Sequence, residues 1–397
     1  MAAVGLITEY NPFHNGHKFH LQKALELTKS DTSVVIMNGN FVQRGMPAIA
    51  DKYTRTEMAL AEGADFVFEL PVQFGLSSAE DFARGSVLML HELGFVDSLC
   101  FGSESGNINQ LDQFAELFAN EPTKYKKDLN FLLKEGFSYP AAREKAALKA
   151  LDFTGVSPLS TSNNLLGIEY LKALKQFHCT IQPFTITRTG TGYHDLNTKE
   201  GIASASAIRM MNTSKERKAV MPENAAQIYE NYRTTHNLID IRHFSDMIYY
   251  ALMQNRDRLE YFKDISLDLA NRIRNALPYY TDAVSFLERL DTKQYTRVRL
   301  NRCLFQVLIG LEKQSDIYDS IPLRLLGMRK EKSHLLNRIP NRQLLVTKPS
   351  KAKETLSREA YTILETDFFA TDLYSFVSSA GQTLRADSEY KHSPIIY

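Results

Sequence analysis

The regular alternation of short apolar runs and helical patterns in the first hundred residues constrains the fold of this chain more than any other feature. An apolar run at residues 2–8 is followed by a turn-rich loop, and from His17 apolar residues recur at helical spacing. Three more apolar runs, at residues 33–37, 65–70 and 98–102, alternate with further helical patterns. Strands separated by helices pair in parallel through right-handed crossovers, and ligands bind at the carboxyl ends of such strands. The sequence therefore predicts an α/β fold with a parallel sheet.

The remainder of the chain predicts a second domain. A length of 397 residues exceeds what one hydrophobic core usually organises. We assign residues 1–215 to the α/β domain, with a helical insertion at about 107–151, where helical patterns hold many charges and no strand pattern occurs. After Pro222, Tyr, Leu and Ile recur mainly at helical spacing. Residues 216–397 are therefore predicted to form a mainly helical C-terminal domain.

Composition excludes several classes of protein. The 44% hydrophobic and 23% charged residues are typical of a globular protein. Three separated cysteines offer neither a disulfide framework nor a cysteine zinc site, and the isolated histidines lack metal-ligand spacing, so we predict no protein-bound metal. The sequence has no signal-peptide pattern and no run of about 18 apolar residues, which predicts a cytoplasmic protein without a membrane span.

The loop at residues 10–17, YNPFHNGH, is the strongest chemical signal because it joins the first strand to the first helix. His14 and His17, three residues apart at a helix start, can face one anion together with the free helix-end amides. Gly16 between them lets a ligand approach the backbone closely. Donors aimed at an α-phosphate stabilise the charge that develops during in-line attack, so we predict that both histidines are catalytic. The alternative is a helix cap and a surface histidine.

A second candidate anion site lies at residues 204–209, SASAIR. Serine hydroxyls and free amides at a helix start, with an arginine one turn later, form a typical site for phosphate. We therefore predict that Ser204, Ser206 and Arg209 take part in phosphate binding at the catalytic centre. An ordinary N-cap is the alternative when this segment is considered alone.

Together these two segments resemble the HIGH-type nucleotidyltransferases. The HNGH loop is similar to the signature of that superfamily, and in its members a later I-S-S-T-x-I-R helix start holds the β- and γ-phosphates. In this chain Ser206 stands in place of the threonine and Ala205 in place of one serine, a departure that affects one hydroxyl contact. The resemblance implies a Rossmann-like HIGH nucleotidyltransferase core.

Longer motifs resemble one family within that superfamily, the bacterial tRNA(Met) cytidine acetate ligases. They are ITEYNPFHNGH, GNFVQRGMPAIADKYTRTEMAL, GADFVFELP, FGSE and NNLLGIEYLKAL, and they span about the first 210 residues, with a weaker likeness beyond. The resemblance implies an enzyme that activates acetate with ATP to acetyl-adenylate. It further implies transfer of the acetyl group to the wobble cytidine of elongator tRNA(Met), giving N4-acetylcytidine, AMP and pyrophosphate. Mg²⁺ is expected to arrive with the ATP.

The resemblance also implies an ATP site on residues that match the family's motifs. This site comprises Ile7, Thr8, Glu9, Tyr10, Asn11, Pro12, Phe13, His14, Asn15, Gly16, His17, Lys18, Phe19, His20, Gly102, Asn163 and Arg188. Gly102 ends the fourth strand, where a missing side chain leaves room for adenosine. Arg188 follows a strand and suits phosphate binding or stacking on adenine. Asn163 can pair with a base or ribose, but Asn164 beside it is equally suited, and either can be an N-cap.

The segment at residues 40–55 is unusually polar for a connection between a strand and a helix. Its candidate contacts to acetyl-adenylate or cytidine are Gln43, Arg44, Asp51 and Lys52, and Arg55 belongs to the same polar set. The alternative is a solvated surface, where single charged residues usually lie.

A local basic region is the candidate for binding tRNA, because the formal net charge of the whole chain is only +1. Residues 291–360 contain 15 Lys plus Arg and 7 Asp plus Glu, whereas the rest of the chain has 32 against 39. Within this window the candidate tRNA contacts on one predicted helix are Lys293, Arg297, Arg299 and Arg302, with Tyr295 near enough to stack on a base. The alternative is a basic helix packed against the acidic core domain.

Two other functions remain open at this point. A small-molecule adenylyltransferase has the same chemistry, but such enzymes are usually single compact domains and leave the C-terminal half without a role. A non-catalytic RNA-binding protein on the same fold is the second alternative, and the intact His14, Gly16 and His17 argue against it.

Overall fold

The computed structural model of the chain describes residues 2–188, 201, 203–313, 318, 320–379 and 388–397. The described residues form ten strands: β1 (Ala3–Thr8), β2 (Thr32–Asn38), β3 (Phe41–Val42), β4 (Met46–Pro47), β5 (Phe66–Leu70), β6 (Ser98–Ser103), β7 (Gln182–Thr187), β8 (Leu323–Met328), β9 (Leu345–Val346) and β10 (Ile395–Ile396).

The first eight α-helices surround the strands of the N-terminal half. They are α1 (Asn15–Thr28), α2 (Lys52–Ala61), α3 (Val72–Gly75), α4 (Ala79–Glu92), α5 (Ile108–Asn120), α6 (Thr123–Lys134), α7 (Tyr139–Ala150) and α8 (Ser162–Gln176). Helices α5, α6 and α7 occupy the segment in which the sequence predicts a helical insertion. Short 3₁₀ helices follow in this and the next part of the chain, at Pro158–Ser160, Ile241–Phe244, Arg256–Tyr261 and Leu277–Tyr279.

Ten further helices follow β7. They are α9 (Ala205–Met210), α10 (Ser214–Val220), α11 (Glu223–Thr235), α12 (Ser245–Gln254), α13 (Leu267–Ala276), α14 (Ala283–Leu290), α15 (Arg297–Ile309), α16 (Ala352–Thr355), α17 (Arg358–Ser378) and α18 (Ser388–Lys391). Three more 3₁₀ helices lie at Lys330–Arg338, Arg342–Leu344 and Pro349–Lys351. None of the helices in the described ranges is long and apolar enough to cross a membrane.

The central sheet has the order β10-β8-β5-β2-β1-β6-β7, with β9 paired to β8. Strands β5, β2, β1, β6 and β7 pair in parallel, which confirms the predicted α/β fold. The chain reverses its direction of progress across the sheet between β1 and β6, and a doubly wound sheet opens a crevice at such a point. Every residue of β2 and β5 is buried, because helices cover both faces of the sheet.

The C-terminal half contributes strands to this sheet. The assignment of residues 216–397 to a mainly helical domain does not include such strands. Strand β8 pairs antiparallel with β5, and β10 pairs in parallel with β8. Each contributing segment is short and lies among helices, so local periodicity gives little sign of it. The division at residues 215 and 216 therefore does not separate the sheet from the rest of the chain.

Helices α12 to α15 form a unit with its own hydrophobic core. That core also contains Phe41, Val72 and Leu76, which lie beside the sheet domain. Gln306 of α15 donates from its Nε2 atom to the Leu76 carbonyl at 2.8 Å. The helical unit is thus packed directly on the segments that follow β2 and β5.

Candidate active site

Two histidine rings lie face to face at the amino end of α1. His14 is the N-cap residue with extended backbone angles, and its side chain makes no capping hydrogen bond. The centroids of the His14 and His17 rings are 3.6 Å apart with planes inclined by 21°. His14 thus occupies the cap position that the alternative predicted, but its side chain does not cap the helix, and His17 is only partly exposed.

Several histidine nitrogen atoms in this cluster are buried and have no hydrogen-bond partner among the described residues. They are Nδ1 of His14, Nδ1 of His17 and Nε2 of His20. Leaving such atoms unpaired costs free energy, so each of the three nitrogens can form a hydrogen bond to a molecule that enters the crevice.

Burial keeps these imidazoles neutral. Burial is the main reason that the pKa of His14 falls to about 3 and that of His20 to about 4, and the charge of Arg188 contributes to both shifts. The pKa of His17 also lies well below its ordinary value, chiefly because of burial. An anionic ligand would reverse the electrostatic contribution, because a nearby negative charge favours the protonated ring.

The second predicted anion segment lies against the first. Arg209 donates from Nη1 to the Asn11 carbonyl at 2.8 Å and from Nη2 to the Ser206 hydroxyl at 3.0 Å. The Ser204 hydroxyl accepts a hydrogen bond from the Ala207 amide at 3.1 Å and so acts as the N-cap of α9. Arg209 is thereby held beside the histidine loop, although 198 residues separate it from Asn11.

A cluster of polar side chains closes the crevice between β6, β7 and α8. A Cβ atom added to Gly102 would lie 3.1 Å from Cγ of Arg188, so the arginine stem covers the glycine. Arg188 Nη1 donates to Oδ1 of Asn163 at 3.3 Å, and Nδ2 of Asn163 donates to Glu104 at 2.6 Å. The structure therefore brings together Gly102, Asn163 and Arg188, the three residues of the predicted ATP site that lie outside the first loop.

The two neighbouring asparagines occupy different environments. Asn164 is buried, and its Oδ1 accepts the Glu104 and Ser105 amides at 2.9 and 3.1 Å. Asn163 is partly exposed beside Arg188. Glu104 was not among the predicted site residues, although it stands in the quoted FGSE motif. Burial raises its pKa, but hydrogen bonds from both asparagines outweigh this and leave the pKa lowered.

The hairpin of β3 and β4 covers the end of β1. The Gln43 amide donates to Oε1 of Glu9 at 3.1 Å, and the Gln43 side chain donates to the Ser77 carbonyl at 3.4 Å. Burial raises the pKa of Glu9, while the charges of Arg44 and Arg209 act in the opposite direction. Gln43 and Arg44, two of the candidate contacts, thus adjoin the predicted nucleotide loop.

The other two candidate contacts from the same segment have partners within the protein. Asp51 is the N-cap of α2, and its Oδ1 accepts the amides of the second and third residues of that helix. The Lys52 ammonium is fully buried and lies 2.8 Å from Glu69, 3.0 Å from Glu389 and 3.1 Å from the Thr371 hydroxyl. Contact of either residue with acetyl-adenylate or cytidine stays a prediction.

Arg55 is fully buried beneath the same loops. Its guanidinium donates to four main-chain carbonyls, those of Glu9, Asn38, Gly39 and Ala50. These carbonyls lie at or just after the ends of β1 and β2 and just before α2, so Arg55 fixes the relative positions of three segments that border the crevice.

Two aromatic residues of the first loop support the histidines from below. Tyr10 and Phe13 are fully buried, and their ring centroids are 4.7 Å apart. The His17 ring lies 4.9 Å from Tyr10 and 5.7 Å from Phe13. Ile7 and Thr8 end β1 directly before this loop, and Pro12 lies within it.

The remaining predicted residues follow along α1, whose first turn includes Gly16. Asn15 donates from Nδ2 to the Gly201 carbonyl at 2.8 Å. Lys18 forms an ion pair with Glu62 at 2.8 Å, and Phe19 is 44% exposed. Across the described ranges, no group of three or more His, Cys, Asp or Glu residues is arranged to hold a metal ion.

The predicted basic helix is α15 with the segment before it. Arg299 donates to the Asp264 carbonyl at 3.0 and 2.7 Å, and Arg302 is 8% exposed and donates to the Asp264 carboxylate at 2.5 Å. Tyr295 is buried, and Arg297 donates to a main-chain carbonyl of α14 at 3.4 Å. Lys293 is exposed. This geometry favours the predicted alternative of a packed helix.

Comparison with known proteins agrees with this geometry. The family model described as HIGH Nucleotidyl Transferase matches residues 1–389. The tRNA(Met) cytidine acetate ligase of Thermoanaerobacter sp. (strain X514) is 40% identical, over 94% of this chain and 95% of that protein. The protein of the same name from Clostridium perfringens (strain SM101 / Type A) is 38% identical over all of both chains.

Solved structures of Thermotoga maritima TmcAL share the fold. The crystal structure bound with alpha-thio ATP superposes with a TM-score of 0.90, and the apo structure with a TM-score of 0.93. Each is 29% identical in sequence and covers 100% of this chain, and the match extends over 99% of each solved chain.

Proposed function

This chain belongs to the tRNA(Met) cytidine acetate ligase family of HIGH nucleotidyltransferases, and we propose that it acetylates the wobble cytidine of elongator tRNA(Met) at the expense of ATP. In the first step, an acetate oxygen attacks the α-phosphorus of ATP and pyrophosphate leaves. In the second step, the N4 amine of cytidine attacks the acetyl carbonyl, AMP leaves and the amine loses a proton. The product is N4-acetylcytidine.

The observation that best supports the first step is the stacked histidine pair with unpartnered buried nitrogens at the start of α1. Neutral imidazoles can donate hydrogen bonds to the non-bridging oxygens of the α-phosphate, as can the amides of the first helical turn. His14 and His17 are the proposed catalytic residues. Mg²⁺ bound to the nucleotide phosphates is part of this proposal.

The rest of the ATP molecule has a proposed place on either side of this pair. Arg209, with Ser204 and Ser206, would hold the β- and γ-phosphates, because it is fixed beside Asn11 at the same loop. The opposite cluster of Gly102, Asn163 and Arg188 would hold the adenosine, where Asn163 presents an amide at the crevice between β6 and α8. ATP thus lies along the carboxyl ends of β1 and β6 in this proposal.

The test compares His14→Ala and His17→Ala with His91→Ala, which changes an exposed histidine in the last turn of α4, outside the crevice. Loss of one donor to the developing charge should lower the rate about a hundredfold or more. Acetate-dependent exchange of pyrophosphate into ATP measures the first step without tRNA. Near wild-type exchange in either of the folded site variants would contradict the assignment.

Product analysis separates the proposal from its alternatives. AMP and pyrophosphate should form only with acetate present, and the acetyl group should appear in tRNA. A small-molecule adenylyltransferase would turn over without tRNA acetylation, and a non-catalytic RNA-binding protein would leave ATP intact.

We place the enzyme in the cytoplasm, where its proposed tRNA substrate is found.

A further inference from the structure

The charge surplus of residues 291–360 belongs almost entirely to its second part. Residues 321–360 contain 10 Lys plus Arg and 3 Asp plus Glu, whereas residues 291–320 contain 5 and 4. We call the densest part, residues 330–353, the basic strap. Its seven cations are Lys330, Lys332, Arg338, Arg342, Lys348, Lys351 and Lys353, and its single acid is Glu331.

The basic strap is fixed to the protein by its apolar side chains. Leu335, Ile339, Leu344, Val346 and Ala352 are all buried and belong to the main hydrophobic core. Three 3₁₀ helices and β9 order the backbone between them. A charged surface on such a backbone keeps its geometry, unlike a charged tail.

Most cations of the strap have no counter-charge. Lys332 is partly buried and donates to the Asp31 carbonyl at 2.7 Å, whereas the other six are exposed. None of these six forms an ion pair with an acid in the part of the chain that the structure describes. Exposed cations elsewhere in the C-terminal half, such as Arg242 and Arg258, do form ion pairs. An uncompensated row of cations is the electrostatic footprint that a polyanion requires.

The strap reaches the edge of the sheet where the histidine pair lies. β9 pairs with Leu323 and Arg324, the first residues of β8, and Arg324 lies opposite Glu69 near the carboxyl end of β5. Strand β9 pairs with β8 on the side away from β5 and is therefore four strands away from β1, which corresponds to about 19 Å at the usual strand spacing of about 4.8 Å. Cations flanking β9 are therefore near enough for one RNA arm to touch both them and the crevice.

We infer that the basic strap is the surface that binds the phosphate backbone of the tRNA substrate, with Arg342, Lys348 and Lys351 beside the nucleotide that enters the crevice. This inference rests on the proposed function. It moves the RNA contact away from α15, where Arg299 and Arg302 are engaged by Asp264. RNA fits better than an acidic protein because backbone phosphates supply regularly spaced charge along the whole strap.

The test replaces three strap cations together by glutamine, Arg342→Gln, Lys348→Gln and Lys351→Gln. The matched control makes the same change of charge on α6, with Lys124→Gln, Lys127→Gln and Lys134→Gln, all exposed residues of the helical insertion. Equal urea midpoints for both variants and the wild type establish that each is folded. Filter binding of tRNA over a salt series is then compared with acetate-dependent pyrophosphate exchange in the absence of tRNA.

Loss of three phosphate contacts should weaken tRNA binding on the order of a hundredfold at 0.15 M salt and reduce the slope of log K against log salt by about 2–3. The control should bind as the wild type does, and exchange should be unchanged in both variants. Unchanged tRNA affinity in the strap variant would overturn this inference while leaving the proposed function intact. Failure of the wild type to bind or acetylate tRNA would instead overturn the proposed function.

Discussion

Gly45, in the hairpin of β3 and β4, offers the sharpest test of how the helical unit supports the active site. Its φ angle is +73°, in the left-handed region that favours glycine. A Cβ atom added there would lie 2.4 Å from the Arg302 amide nitrogen and 2.7 Å from the Asn301 carbonyl carbon, both in the backbone of α15. Gly45→Ala must therefore separate the hairpin from α15, because no flexible side chain can yield.

The expected cost has two parts. A left-handed conformation costs an alanine about 1–2 kcal/mol, and forcing apart a packed contact costs about 1–3 kcal/mol more. Gly310, at the end of α15, has φ of +87°, and no described atom lies within 4 Å of its added Cβ. Gly310→Ala should therefore show only the cost of the left-handed conformation. The free energies of unfolding of the two variants should then differ by about 1–3 kcal/mol.

Urea unfolding followed by circular dichroism measures this difference, provided that the denaturant slopes agree. Activity gives a second measurement. The hairpin supplies the Gln43 amide that donates to Glu9, so Gly45→Ala should also lower acetate-dependent turnover while Gly310→Ala leaves it unchanged. Equal free energies of unfolding in the two variants would refute the packing of the hairpin on α15.

Local pattern was sufficient for the parts of the fold that local physics determines. The apolar run at residues 98–102 became β6, and the amphipathic pattern at residues 163–175 became α8, each within about one residue of its bounds. Strand β8 could not be predicted in the same way, because it pairs with β5 from more than 250 residues away. Nothing in its six residues identifies that partner.

Charge patterns in the sequence likewise do not reveal exposure. Arg302 and Lys351 belong to the same basic window, yet Arg302 is 8% exposed beside Asp264 and Lys351 is exposed. The sequence identifies both residues as cations. Their exposure to solvent depends on how α15 packs against its neighbours, and local sequence patterns do not specify that packing. Lys52 presents the same difficulty, since its partner Glu389 lies 337 residues away.

The candidate site divides in a similar manner. The histidine loop was readable because its strand, loop and helix are contiguous. The contact of this loop with Arg209 depends on the tertiary fold, and the hydrogen bond from Arg209 to the Asn11 carbonyl shows it. No local pattern marks Glu104 as a site residue, whereas in the structure it accepts a hydrogen bond from Asn163 and so orients that side chain.

Three further predictions concern buried ionisable groups. Lys52→Met leaves the buried carboxylates of Glu69 and Glu389 without their shared cation. The free energy of unfolding, measured with urea at neutral pH, should therefore fall by about 3–5 kcal/mol. A decrease below about 1 kcal/mol would contradict this prediction. Burial lowers the pKa of His14 to about 3 and that of His20 to about 4 in the folded protein. Below about pH 6.5 the unfolded chain therefore binds more protons than the folded protein does. The free energy of unfolding should consequently decrease as the pH is lowered from about 6.5 towards 3. Bound phosphates favour the protonated rings, so ATP binding should take up protons within this window, measurable by calorimetry in two buffers of different ionisation enthalpy. Identical proton uptake by His14→Ala would refute the placement of the phosphates beside that ring.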